Sequence, residues 1–288
     1  MTSTRRLFVP ALMGLLLLAL PAGAAEFYGI KSNGFLLKYD TTAMTVTQLA
    51  QVQVGPQLLT GFTDLEFDSA GNLFALRGFS DGNFPPTTFN QLIRVNTPAT
   101  GSSLLSGDMG NLGATPFHSL AYRPSNGSFY SVDARNGHLI TVTTAGAIAS
   151  VAGVANGLRF LVPALAVNPV DGLAYGIIDA GTPAPFGTPN YSLIRMNMDT
   201  GLSTLVGSLG QGANPFTALR FDNTGTAYTV NQSNGDVFSV NTATGAASFL
   251  FAGGAVAAGT TGLAFIVPAP ATASVLLAFA AFAARRRR

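Results

Sequence analysis

The sequence predicts an all-β fold in which five four-stranded blades close into a ring. Three observations lead there: a repeat recurs along the chain, each repeat has the turn chemistry of hairpins, and one repeat is divided between the two ends of the domain. Four stretches align closely: DLEFDSAGNLFALRG from Asp64, SLAYRPSNGSFYSVD from Ser119, ALAVNPVDGLAYGIID from Ala164 and ALRFDNTGTAYTVN from Ala218. The equivalent leucines, Leu65, Leu120, Leu165, Leu219 and Leu263, stand 55, 45, 54 and 44 residues apart. A propeller blade occupies roughly 40–50 residues.

The first repeat in chain order is incomplete. FYGIKS, FLLKYD and MTVTQLAQV, from Phe27 onward, supply a second, third and fourth strand but no first. Each full repeat then begins with a short apolar run, turns through a Gly-containing segment, and continues in a run with an aromatic. The third runs are QLIRVN, HLITVT, SLIRMN and DVFSVN, and the turns after them include PATG, TTAG, MDTG and TATG. Alternating apolar positions rich in β-branched and aromatic residues suit half-buried strands, and Asp, Asn and Gly suit tight reversals. Each repeat therefore reads as a four-stranded antiparallel meander. The run from Gly262 to Val267 is a lone first strand, which can complete the N-terminal blade. Closure of this kind removes open sheet edges. The expected fold is a five-bladed β-propeller over residues 26–268. An open β-solenoid or a sandwich is the rival reading, and neither needs complementary half-repeats.

Composition narrows the function. The chain of 288 residues is 48% hydrophobic and 10% charged, against about 25% charged in ordinary domains. It is too apolar for a disordered chain. With no Cys it cannot hold a disulfide, a thiolate metal site or a cysteine nucleophile, and two His leave little for a metal centre. Much of the positive charge sits at the termini. Between Glu26 and Pro268 there are nine positive and thirteen negative charges, a net of −4, which does not attract a nucleic-acid backbone. No P-loop, G-x-G-x-x-G or G-x-S-x-G is present, and neither cofactor nor metal is expected.

Residues 1–25 have the form of a secretory signal: MTSTRR, an apolar run from Leu7 to Leu20, Pro21, and small residues Ala22-Gly23-Ala24 for cleavage. Residues 267–288 form a second address. Val267-Pro268-Ala269-Pro270 is stiff, Ala271 to Ala284 is uncharged and mostly apolar, and Arg285, Arg286, Arg287 and Arg288 make a cationic stop. The apolar part falls short of the roughly 20 residues of a full span, and the arginines favour the cytoplasmic side. This tail resembles the PEP-CTERM sorting signal. Pro268, Pro270, the run ATASVLLAFAAFAA and RRRR correspond to it, and Ala269 stands where that family has Glu. The resemblance implies a Gram-negative bacterium, export through signal peptidase, a transient stay in the inner membrane, processing by an exosortase-type enzyme, and association with the cell surface or extracellular matrix. The repeats themselves resemble those of uncharacterised exported bacterial propellers and, more distantly, quinoprotein and lactonase-type propellers.

Strand alternation puts the second-to-third and fourth-to-first connections on one face. Two long inserts lie there, FSDGNFPPTTFN from Phe79 and AGTPAPFGTPN from Ala180. Loops on one face of a rigid scaffold commonly carry function, so Asp81, Asn83, Phe84, Phe89, Phe186 and Asn190 are the ligand-binding candidates. The position after each aligned leucine holds Glu66, Ala121, Ala166, Arg220 and Ala264. Small residues suit a crowded centre, so Glu66 and Arg220 are the candidates for lining the channel and pairing within it. His118 and His138 each lack evident partners for catalysis. DSAGN from Asp68 and DNTGT from Asp222 read as Asp-to-Gly turns and lack the ligand series of a calcium loop. The leading function is a non-catalytic exported propeller that binds exopolysaccharide, another glycan or a surface protein. The alternatives are a hydrolase or lactonase with a site at the channel mouth and a purely structural matrix component.

Overall fold

A computed structural model describes residues 26–80, 88–96, 101–105, 117–133, 138–144, 148–153, 162–179, 191–212 and 214–265. Blade 1 contains β1 (Glu26–Lys31), β2 (Phe35–Asp40) and β3 (Thr45–Gln51). A small hairpin, β4 (Gln53–Val54) and β5 (Gln57–Leu58), leads out of it. Blade 2 is β6 (Phe62–Phe67), β7 (Leu73–Ser80), β8 (Thr88–Val95) and β9 (Ser103–Leu104). Blade 3 is β10 (Ala121–Arg123), β11 (Ser128–Val132), β12 (His138–Val142) and β13 (Ile148–Gly153). Blade 4 is β14 (Ala164–Val167), β15 (Ala174–Asp179), β16 (Tyr191–Met196) and β17 (Ser203–Ser208). Blade 5 is β18 (Phe216–Phe221), β19 (Ala227–Asn231), β20 (Asp236–Val240) and β21 (Ala247–Ala252). After a single helical turn, α1 (Gly254–Ala257), β22 (Thr260–Phe265) returns to blade 1.

All five sheets are antiparallel, and the first has the order β22-β1-β2-β3. The C-terminal strand is thus the innermost strand of the N-terminal blade. The inner strands β22, β6, β10, β14 and β18 neighbour one another in a closed cycle. The fold is a five-bladed β-propeller, with the divided repeat joined as its sequence requires.

The turns are held by their own side chains. Asp68 Oδ1 accepts the N–H groups of Ala70 and Asn72, and Asp222 Oδ1 accepts those of Thr224 and Thr226. Asn197 and Asn241 each accept the N–H groups two and three residues on, in the turns between the third and fourth strands of blades 4 and 5. A short side chain that folds back on the backbone fixes the reversal before any tertiary contact forms.

Packing between blades repeats a simple pattern. The five aligned leucines are fully buried, at 0% exposure, and each faces the preceding blade, as Leu65 packs with Ala264 and Ile30 of blade 1. The residues on either side of the leucine face the following blade. Next to them in the second strand stand Tyr28, Phe74, Tyr130, Tyr175 and Tyr228, paired across the sheet with Ala264, Glu66, Ala121, Ala166 and Arg220. These aromatics meet rings of the next blade in Tyr28–Phe67, Phe74–Phe129, Tyr175–Phe221 and Tyr228–Phe265, with centroids 4.9–6.0 Å apart. Between blades 3 and 4 the equivalent partner position holds Val167.

Closure is held by several kinds of contact. β22 pairs with β1 from Phe27↔Phe265 to Lys31↔Thr260. Tyr39 donates its hydroxyl to Thr260 at 2.8 Å, and Thr260 in turn donates to the Ala257 carbonyl at 2.6 Å. The Thr261 hydroxyl bridges the carbonyls of Ile30 and Phe62 at 3.2 and 2.9 Å, joining blades 1 and 2. Phe27 stacks on Tyr39 at 4.5 Å and meets Phe265 at 4.5 Å. A chain ending at Gly259 is expected to melt well below one ending at Pro268 and to aggregate. Losing the burial of Leu263 and Phe265 alone costs about 3–6 kcal/mol, and two strand edges open. Equal melting and monomeric elution of the two chains would contradict closure by β22.

Candidate functional site

Among the described residues, charged side chains of different blades meet at the axis and in a cleft between blades 3 and 4. The axis is built on β18 and β6. Arg220 follows the aligned leucine of blade 5, and its guanidinium crosses the centre. Nη1 donates to the carbonyls of Leu165 and Leu219, and Nη2 to those of Leu65 and Leu120, all at 2.5–2.6 Å. Four blades therefore hold one guanidinium by the carbonyl of the same repeat position. Nη2 also lies 2.9 Å from Asp64, and Nε lies 3.3 Å from Glu66 outside hydrogen-bond alignment.

The two carboxylates complete the set with acceptors. Asp64 accepts the N–H groups of Leu65 and Leu120 at 2.8 and 2.6 Å. Glu66 accepts those of Phe67 and Tyr122 at 3.0 and 3.4 Å. Asp64, Glu66 and Arg220 are all buried. Two carboxylates share one guanidinium, so full ionisation of both would leave an excess negative charge in a buried cluster. Burial pushes Asp64 up to about 7, against the pull of Arg220 and its backbone donors, and raises Glu66 as well. Burial draws the Arg220 guanidinium down, but Asp64 and Glu66 more than offset this and its pKa rises.

Glu66 and Arg220, read from the sequence as channel residues, therefore meet at the axis, where they engage the backbone of the inner strands. Asp64 is the third member, and the sequence reading passed over it. Its signal was present: the position before the aligned leucine is Asp64, Ser119, Ala164, Ala218 and Gly262, so one carboxylate stands among small residues. Gly262 is required there, because a Cβ would lie 2.5 Å from the Asp64 Cα.

Of the loop candidates, Asp81, Asn83, Phe84, Phe186 and Asn190 lie outside the described residues. Phe89 belongs to β8, where its backbone pairs with Phe79. The sorting residues Pro268, Ala269, Pro270 and Arg285 to Arg288, and the leader 1–25, also lie outside the described residues. Among the described residues no helix is long and apolar enough to cross a membrane, and no three His, Asp or Glu side chains gather as a metal would need. His118 is half-buried, and burial lowers its imidazole pKa. His138 opens β12 with an exposed side chain.

The cleft lies on the face opposite the long inserts, beside the one junction where Val167 replaces an aromatic. Its volume is about 490 Å³, within the range of about 300–1,000 Å³ for small-ligand sites. Arg123, at the end of β10, contributes from blade 3. Blade 4 supplies Leu173, Arg195, Met196, Asn197, Met198, Asp199, Leu202 and Thr204. Arg123 Nη1 is paired with Asp199 Oδ1, and Nη2 lies 3.3 Å from Oδ2, a two-pronged contact across the junction. The hydrogen bond from Arg123 holds the Asp199 carboxyl below its usual range.

No protein-family model matches the chain, and no curated protein sequence matches it. Solved structures match by shape. A chain of the nidogen/laminin complex superimposes with a TM-score of 0.52 at 8% identity, over 85% of this chain and 99% of that one. TolB from Acinetobacter baumannii gives 0.44 at 11% identity, over 80% of this chain and 53% of that one. A protein of unknown function from Bacteroides thetaiotaomicron gives 0.47 at 12%, over 80% and 59%. The chain thus spans little more than half the length of the latter two. The likeness to the first is one of fold.

Two outcomes follow from the axial cluster. Arg220→Met strands two buried carboxylates and four carbonyls, and is expected to cost at least about 3–5 kcal/mol in denaturant unfolding. Arg220→Lys, with one ammonium for a planar fork, is expected to recover only part of this. Stability equal to the parent in Arg220→Met would refute the axial role. The second outcome concerns pH. An unfolded chain releases the Asp64 proton near 3.8, whereas the ring retains it to about 7. The folded state then binds more protons between those values, so this group's contribution falls as pH rises through that window. Melting temperatures of the parent and Asp64→Asn should therefore diverge from pH 4 to pH 7, with the parent losing more. Parallel curves would show that Asp64 does not titrate there.

Proposed function

We propose that the chain is an exported propeller, held at the surface or in the extracellular matrix of a Gram-negative cell, that binds a glycan or protein ligand without chemistry. The observation that carries this reading is the engagement of Asp64, Glu66 and Arg220 with inner-strand backbone. The carboxylate that a hydrolase at the channel mouth would need, Glu66, accepts two backbone N–H groups and faces Arg220. This charged cluster is thereby engaged in joining blades, and a rigid scaffold is left to present its loops and clefts.

The address comes from the two ends. The leader of residues 1–25 and the tail of residues 267–288 support export by signal peptidase and sorting by an exosortase-type enzyme, through the resemblance to PEP-CTERM signals. Both segments flank the ring and lie outside its repeat, so folding of the ring does not depend on them. On this reading the inner membrane holds the tail transiently, and the ring then reaches exopolysaccharide or a surface protein.

The test is the mature protein. In a host with the sorting enzyme, mass spectrometry of surface-exposed protein should find a start near Glu26 and an end near Pro268 to Pro270, and Ala269→Glu should accelerate loss of the tail. An intact RRRR on surface protein would remove the sorting reading. The purified ring should be retained by isolated extracellular matrix and release no product from it. Replacement of Asp81, Asn83, Phe84, Phe89, Phe186 and Asn190 together should lower that retention if the insert-bearing face makes the contact.

A further inference from the structure

We propose that, while the tail holds the chain in the membrane, the ring stands with the face of its first-to-second turns toward the bilayer surface and its insert-bearing face outward, where it meets the ligand. The inference rests on the proposed membrane retention of residues 271–284 and adds the direction in which the ring points. It comes from the place where the two ends leave the fold. In blades 2 to 5 a short turn joins the first strand to the second, as between Phe67 and Leu73 or between Phe221 and Ala227. In blade 1 the corresponding residues, Phe265 and Phe27, are paired across β22 and β1 but come from opposite ends of the ring's sequence. Their rings lie 4.5 Å apart. The leader and the tail therefore leave the ring side by side, where the other blades have a turn, on the face opposite the long inserts.

Reach fixes the direction. Five residues, Ile266 to Pro270, separate Phe265 from the apolar run that begins at Ala271. Even fully extended, this connection covers only about 20 Å. The direct route through the ring is blocked, because Arg220, Asp64 and Glu66 occupy the axis. To lay the insert-bearing face on the bilayer, the connection would have to pass outward across a four-stranded blade and back along its height. Three strand spacings and the length of a six-residue strand such as β22 make about 34 Å. The connection is too short for that route, and any part of it drawn into the membrane shortens it further. The leader acts in the same sense, since Glu26 follows it directly and opens β1 beside Phe265. Both membrane-borne segments thus pull on one point of one face, and β22 can pair with β1 before either end is released.

The chain has no Cys, so one introduced Cys carries a donor dye at one known place. Ala70→Cys and Asn223→Cys place it on exposed first-to-second turns of blades 2 and 5, and Ser32→Cys and Ser233→Cys on exposed second-to-third turns of blades 1 and 5. Each variant with its tail intact, from a host lacking the sorting enzyme, is reconstituted in phosphatidylcholine vesicles holding a trace of headgroup-linked acceptor dye. Energy transfer is read on protein that floats with the vesicles. Transfer from positions 70 and 223 is expected to be at least twofold higher than from positions 32 and 233. Equal transfer from the two faces, or higher transfer from positions 32 and 233, would overturn the proposal. A flexible Gly/Ser insertion of about twenty residues after Val267 outreaches the way round a blade and should reduce the difference. A difference unchanged by that insertion would overturn reach as its cause. Protein that fails to float with the vesicles would remove the retention reading, and this proposal with it.

Discussion

A ring of antiparallel blades turns the innermost edge of every sheet toward a shared axis, where no further strand can pair with it. Backbone groups left unpaired in a dry interior are costly. At the axis this protein meets the constraint with three charged side chains. The Arg220 guanidinium takes the carbonyls of four inner strands, and Asp64 and Glu66 take N–H groups of two of them. Blades 1 and 2 approach so closely beside this cluster that position 262 has room for glycine alone.

The outer part of each junction depends on less specific forces. A leucine facing backward and an aromatic facing forward, repeated around the ring, fill each gap between blades with apolar volume. Such packing tolerates exchange of one aromatic for another, because burial rather than direction provides the stability. It is less tolerant of a small residue. At the junction of blades 3 and 4, Val167 stands in the aromatic's place, and polar side chains bridge the blades through Arg123 and Asp199 instead. Asp199 is exposed beside this irregularity, and Arg123 reaches it from blade 3.

The division between scaffold and surface explains how a buried charge cluster fits a binding role. The axial carboxylates are directed inward to backbone donors and are buried. Solvent meets other groups, such as the turn residues Ser69, Ala70, Asp199 and Thr200. On the proposed reading, the leader and tail deliver this scaffold to a place where such surfaces meet extended polymers.

The repeat, its turns and its divided first blade were legible in the sequence because each depends on local chemistry. Asp68, Asp222, Asn197 and Asn241 make their turns with their own neighbours, and alternation assigns each strand a buried face. GLAF at one end and a repeat lacking its first strand at the other were enough to predict closure, because an unpaired edge needs a partner. Glu66 and Arg220 stood out as charges where other repeats carry small residues. The role of Asp64, and the distribution of Arg220 over four carbonyls, could not be read in this way. Those contacts join residues up to 155 positions apart, and they exist only once the ring brings five separate inner strands to one axis. The cleft depends on the same condition, since Arg123 and Asp199 lie 76 positions apart in different blades. The sequence by itself determined the strands, the turns and the need to close. The tertiary structure alone decided which charged groups would be buried at the centre and which would face solvent.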